Sequence, residues 1–322
     1  MDIVGIGRPC IDILAVVDKL PKPDSGAGIR DFSRQGGGLV STAMVASARL
    51  GAKVGIIGTF GSCLNSKAMR EDFEYNNVDI SKCVTVEGAY SDYAIVLSDL
   101  ETKGRSIIYR GGTLRRLEIN DLDKDYITSA DFLHLEGCGE LEKTAALWMR
   151  EAGKKVAIDA NSYSEHMTKF IPYIDIFIAS EYYYKGAFGT SVDYEENCKK
   201  ISETGPEIVV ITLGAKGCVG YSKSEGFFAE EGLKVNVVDT VGAGDVYHGA
   251  FLVGLAKGWK VKDTAKFANA VSAIKIGYIG GRAGIPSLEV ADKFIKTGEI
   301  DDTEIKQRVE YYRNKWIFGD IK

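Results

Sequence analysis

A chain of 322 residues is long enough to bury a large core, as one big α/β domain or one domain with a small appendage. Its 45% hydrophobic and 26% charged residues are ordinary for a globular protein, and a net charge of −5 with no basic run argues against nucleic acid as a partner. No apolar run approaches a membrane span, and none of the six cysteines forms a Cys-x-x-Cys pair, so the thiols read as reduced core residues of a cytoplasmic protein.

The chain begins Met1-Asp2-Ile3-Val4-Gly5-Ile6-Gly7, acidic and running straight into a strand pattern, unlike a signal peptide. Buried-strand patterns occur at Ile3–Ile6, Val54–Ile57, Phe132–Leu135, 156–158, 174–178 and Ile208–Thr212. Helical stretches lie between several of them, at 39–50, 142–152 and 195–202, with Gly51 and Gly153 standing where helices should stop. This alternation predicts a parallel sheet with helices on both faces. Residues 13–35 and 90–110 break the rhythm with short β-like runs, such as Tyr93-Ala94-Ile95-Val96-Leu97. They read as antiparallel pieces inserted in the scaffold, with edge strands of the main sheet as the alternative. The α/β domain would then comprise 1–12, 36–89 and 111–300, and the charged tail 301–322 an appended helix.

The most informative stretch is Asp239-Thr240-Val241-Gly242-Ala243-Gly244-Asp245-Val246-Tyr247-His248-Gly249-Ala250-Phe251. Small residues feeding an apolar helix let a phosphate approach the backbone, and the helix N-terminus favours an anion there. Asp245 would sit beside that anion as a base for a hydroxyl, while the N–H groups of Gly242, Ala243 and Gly244 stabilise a transferring phosphoryl. The chemistry suggested is that of an alcohol kinase.

Asp-Thr-Val-Gly-Ala-Gly-Asp closely resembles the signature of the ribokinase-like (PfkB) carbohydrate kinases, and the Gly280-Gly281-Arg282-Ala283-Gly284-Ile285-Pro286 loop and the Asp245-Val246-Tyr247-His248-Gly249-Ala250 run look most similar to the branch of ketohexose and sulfofructose kinases. The resemblance spans about residues 2–296. It implies a three-layer α/β sandwich with a central, mostly parallel sheet and a small β-sheet lid, formed by the two inserted segments. Such a lid would exclude the water that competes with the sugar hydroxyl, and it often pairs with a second lid in a homodimer.

Site residues follow from the same resemblance. Gly37 and Gly38, opening the helix that ends before Gly51, would hydrogen-bond the sugar, with Thr42 standing where the family usually has Asn. Asp12 would accept hydrogen bonds from adjacent hydroxyls, since a carboxylate can take two at once. Glu136, ending a strand, would add another contact, and Arg110 would meet an anionic or polar substituent. Thr212, Gly214 and Gly217 match the Thr-Leu-Gly-x-x-Gly motif lining the ATP groove, and Asn269 borders the adenine. Asp239, with backbone carbonyls such as those of Val241 and Gly281, would hold a monovalent cation such as K+. Ser180 and Tyr183 replace the Asn and Glu of the usual Asn-x-x-Glu, whose Glu organises magnesium-bound water. Mg-ATP is still expected, because a metal bridging the β- and γ-phosphates is the general requirement.

The leading expectation is an ATP-dependent kinase of a primary hydroxyl on a neutral ketose or pentose. An anionic sugar engaging Arg34, Arg105 or Arg110 is one alternative, and a non-catalytic sugar- or nucleotide-binding protein is the other. A dinucleotide oxidoreductase would need a third glycine where Cys10 stands, and no P-loop pattern occurs.

Overall fold

In the computed structural model, which describes residues 1–317, the apolar runs become members of an eight-stranded sheet. From edge to edge the order is Gly226–Glu230, Cys218–Ser222, Ile208–Thr212, Ile176–Ser180, Lys155–Ala160, Phe132–Leu135, Ile3–Ile6 and Val54–Ile57. The last six run parallel, Cys218–Ser222 runs antiparallel to them, and Gly226–Glu230 pairs antiparallel with Cys218–Ser222 to close the hairpin. That hairpin is not among the strands that the sequence pattern predicts. The strand expected over 174–178 begins at Ile176, because Pro172 opens a 3₁₀ turn over Ile171–Tyr173 and Ile174 closes it.

Successive strand residues face opposite sides of a sheet, and here both sides are covered. Ile3, Ile56, Ala157 and Ile178 join one core with Val40, Met44, Phe251 and Ile274. Val4, Ile57, Ile158 and Phe177 join a second core with Met149, Cys198 and Ile201. The result is a three-layer α/β sandwich of ribokinase-like fold, in which helices Leu39–Arg49, Ala243–Ala256 and Val261–Lys275 supply the first face. Gly249 lets two of those helices touch, since a Cβ there would lie 2.3 Å from the Ala43 carbonyl oxygen.

A separate four-stranded sheet has the order Ile29–Gly37, Cys10–Val17, Tyr93–Asp99, Arg105–Arg110. The central pair is parallel and the outer pairings are antiparallel. Its strands extend past the segment limits read from sequence, so that Asp12, Gly36 and Gly37 lie on this sheet and not in the main scaffold. A third, two-stranded sheet joins Thr59–Gly61 to Val84–Val86. Helix Thr303–Ile317 packs against the strand Ile29–Gly37. The last five residues of the expected C-terminal helix, 318–322, lie outside the described residues.

Candidate active site

Two helix N-termini face the C-terminal ends of the parallel strands, where open α/β sheets place their ligands. The first belongs to Ala243–Ala256. Gly242 precedes it at φ +74°, and a Cβ there would lie 2.8 Å from Gly281 Cα, so both the conformation and the space require glycine. The N–H of Ala243 bonds the Thr240 carbonyl at 3.3 Å and that of Val246 the Gly242 carbonyl at 2.9 Å. The intervening N–H groups of Gly244 and Asp245 have no backbone acceptor among the described residues. They are the free donors that make a helix N-terminus an anion site.

Asp245 occupies the first turn of this helix. Burial pushes its carboxyl well above the usual carboxylate range, and the charges of Asp159, Asp12 and Glu136 push the same way against Lys275. Asp159, at the end of Lys155–Ala160, had escaped the sequence reading. Its own carboxyl is raised to about 7 by burial, and it lies 3.5 Å from Nε2 of His248, one helical turn beyond Asp245. His248 stacks on the fully buried His134 with centroids 5.2 Å apart, and burial drives its pKa down to about 3, so the imidazole is neutral.

The second N-terminus belongs to Leu39–Arg49 and is preceded by Gly38 at φ +95°. Here Asp12 lies against Gly37, whose missing Cβ would fall 2.3 Å from Asp12 Oδ2. Burial raises the Asp12 carboxyl, with Arg282 opposing, and Cys10 Sγ donates to its Oδ1 at 3.6 Å. Thr42 is buried and borders the loop from the other helix, with its Oγ1 3.8 Å from where a Gly281 Cβ would be. Glu136 has a structural task that the sequence did not suggest. Its Oε1 accepts from the Arg8 N–H at 2.7 Å and its Oε2 from the Val40 N–H at 3.0 Å, so it caps this helix and anchors the loop after the first strand. Burial lifts its pKa to about 7. Arg110 stands at the end of the outer strand of the small sheet, exposed, and lines a cavity of about 470 Å³ with Cys63, Asn65, Tyr90 and Tyr93.

Thr212, Gly214, Gly217 and Asn269 come together on a groove of about 460 Å³ that also reaches Ala243, Gly244 and Thr240. Gly217, at φ +92°, turns the chain where a Cβ would strike the Glu230 carbonyl at 2.0 Å. Asn269 Nδ2 donates to that same carbonyl at 3.3 Å and holds the loop in place. Lys103 and Arg105, from the small sheet, complete the rim, and Arg105 donates to Thr240 Oγ1 at 3.0 Å.

Ser180 does not line this groove. Its hydroxyl accepts from the Tyr183 N–H at 3.2 Å and donates to the Asn161 carbonyl at 2.8 Å, which makes it the N-cap of helix Glu181–Phe188. Tyr183 is buried against Phe177, and Glu181 pairs with Lys185 at 3.2 Å. No group of three or more His, Cys, Asp or Glu side chains among the described residues is arranged to hold a metal ion. These residues therefore do not fit a protein-built magnesium site.

The carboxylate of Asp239 is committed to the loop. It accepts from the Val241 N–H at 2.9 Å, the Ser98 hydroxyl at 2.9 Å and the Gly280 N–H at 2.8 Å. The carbonyl of Val241, expected with that of Gly281 to face a monovalent cation, accepts instead from the ammonium of Lys275, and so does the Asp239 carbonyl, at 3.1 Å.

A mostly parallel sheet, a helix N-terminus with free N–H donors and a flanking carboxylate are the parts that a phosphotransferase of the ribokinase-like fold would use. Residues 1–288 match the pfkB family carbohydrate kinase model, and the chain belongs to that family. It is 27% identical to the 5-dehydro-2-deoxygluconokinase of Clostridium perfringens, covering 95% of this chain and 96% of that protein. It is 25% identical to a nucleoside kinase of Methanothermobacter thermautotrophicus, over 91% and 94% of the two chains. Among solved structures, a ribokinase of Thermotoga maritima superposes with a TM-score of 0.78 at 25% identity, over 92% of this chain and all of that one. A putative ribokinase of Agrobacterium tumefaciens gives 0.83 at 20%, over 92% and 98%. The chain is thus a carbohydrate kinase. No helix among the described residues is long and apolar enough to cross a membrane.

Proposed function

We propose that this kinase transfers the γ-phosphoryl group of ATP to a primary hydroxyl of a small sugar held between Asp12, Gly37 and Gly38. Asp245 takes the hydroxyl proton as the sugar oxygen bonds to the γ-phosphorus and the bond from that phosphorus to the β-phosphate oxygen breaks, leaving ADP. The N–H groups of Gly244 and Asp245 bind the charge on the moving phosphoryl. The observation that carries the reading is this pair of free donors, opening beside a groove that holds Thr212, Gly214 and Asn269, with Asp245 in the same helical turn. The triphosphate enters as its magnesium complex, the metal held by phosphate oxygens and water. A solved neighbour, a putative ribokinase II of E. coli, was crystallised with ATP and magnesium. The small sheet serves as the lid, and the exposed apolar side chains on its outer strand, Ile107, Ile108 and Tyr109, support a homodimer through that edge strand.

A second substrate reading has its own support. Arg110 forms no ion pair with the described residues and lines a cavity beside the small sheet. Relatives named 5-dehydro-2-deoxygluconokinase carry the name of a sugar acid. A sugar acid whose carboxylate meets Arg110 is therefore preferred over the neutral ketose or pentose expected from sequence. The test is ADP release from Mg-ATP across sugar acids, ketoses, pentoses, sugar phosphates and nucleosides. Turnover with a sugar acid that weakens selectively in Arg110→Gln supports this reading. Turnover with neutral sugars alone, unchanged in that variant, removes it.

A further inference from the structure

The cation-holding role expected of the Asp239 loop does not fit this structure, because that position is filled from within the chain. Lys275 is the last residue of helix Val261–Lys275 and has no exposed surface. Its ammonium group donates to the main-chain carbonyls of both Asp239 and Val241. Those carbonyls belong to the loop that leads into Gly242 and the free N–H groups of the helix. The opposite side of the loop is pinned by the Asp239 carboxylate, which bonds Val241, Ser98 and Gly280. The loop is therefore gripped twice, by a carboxylate on its donors and by an ammonium on its acceptors.

An alkali cation is held where carbonyl oxygens replace its hydration shell. Here two of those oxygens already face a tethered positive charge, and a second cation beside it would meet like-charge repulsion in a buried setting. A buried ammonium is itself costly unless it is hydrogen-bonded and compensated. Burial lowers the pKa of this ammonium to about 8 and Arg105 pushes the same way, while the carboxylates of Asp239, Asp245 and Asp12 oppose them. The same charge also lies toward the end of the helix where phosphoryl charge would gather.

We propose that Lys275 is a built-in replacement for a dissociable monovalent cation, so that this kinase orders its anion-binding loop without K+. Lys275 is a positioning residue that acts through the carbonyls of Asp239 and Val241. The inference rests on the phosphoryl-transfer reading only in its activity arm.

The test compares chloride salts of potassium, sodium and tetramethylammonium at matched ionic strength. For the unaltered chain the melting temperature should be the same in all three, and the rate of ADP formation should agree within about twofold. In Lys275→Ala the emptied position should bind K+. Its melting temperature should then rise in potassium relative to tetramethylammonium, and its turnover, reduced by about tenfold or more, should be partly restored. A potassium-specific stabilisation or activation of the unaltered chain would overturn the proposal. Full turnover of Lys275→Ala in tetramethylammonium would do the same. The melting comparison needs no substrate, so a wrong sugar assignment leaves it decisive, and the unaltered chain decides the question even if the variant does not fold.

Discussion

The carboxylate of Asp12 lies flat on the backbone of Gly37, so close that a single methyl group at Gly37 would fall 2.3 Å from Asp12 Oδ2 and 2.5 Å from its Cγ. The contact joins a central strand of the small sheet to the outer strand that leads into helix Leu39–Arg49. Gly37→Ala should therefore push Asp12 aside, raising the sugar KM by about tenfold or more with little change in that for ATP. An unchanged sugar KM would separate Asp12 from substrate binding.

The pH dependence of turnover should report on Asp245. Its pKa is raised by burial and then by Asp159, Asp12 and Glu136, so the basic form is lost on acidification at a higher pH than an ordinary carboxylate would allow. Asp159→Asn removes the largest of those like charges and should draw the acid limb of kcat/KM to lower pH. A limb that stays in place in this variant would mean that Asp159 and the titrating group are not coupled.

Stability should move opposite to activity. A carboxyl whose folded pKa is raised contributes stability that is present below its unfolded pKa and is lost as pH rises through the folded value. At neutral pH the ionised form of Asp245 therefore costs stability, and Asp245→Asn should melt at a higher temperature than the unaltered chain. The difference should vanish in acid, where both side chains are neutral. A variant that melts lower at neutral pH would contradict the raised pKa.

Beneath the glycine loop, Arg282 is fully buried between Asp72, with which it forms an ion pair, and the Gly37 carbonyl, to which Nη2 donates at 3.0 Å. Tyr312 from the C-terminal helix donates to the same Asp72. Arg282→Met should cost about 3–5 kcal/mol of stability, because it strands a buried carboxylate. Adding Asp72→Asn should recover part of that loss. Equal destabilisation by the single and double variants in denaturant titrations would show that the ion pair is not what matters.

Most of the scaffold was legible because the parallel strands are buried on both faces and so read as short continuous apolar runs, as at Ile3–Ile6 and Ile208–Thr212. The hairpin Cys218–Ser222 and Gly226–Glu230 was not, since its exposed positions Phe227 and Ala229 alternate with buried or half-buried ones and dilute the signal. In the site, glycines with a special φ announce themselves through spacing, as Gly38 and Gly242 do. Roles that depend on distant partners do not. Glu136 could be seen to end a strand, but its bond to Val40, 96 residues away, could not. Nothing in the sequence marks Lys275, and only the packing of Val261–Lys275 against Ala243–Ala256 brings its ammonium to the Val241 carbonyl. Asp159 and His248 escaped for the same reason, being adjacent only in space.

The central claim, that Asp245 is the base for phosphoryl transfer, is tested most directly by measuring ADP formation and ATP affinity together in Asp245→Asn. The account predicts that turnover falls by roughly 10²–10⁴ or more while the dissociation constant for ATP stays close to that of the unaltered chain. Near-normal turnover in this variant would contradict it.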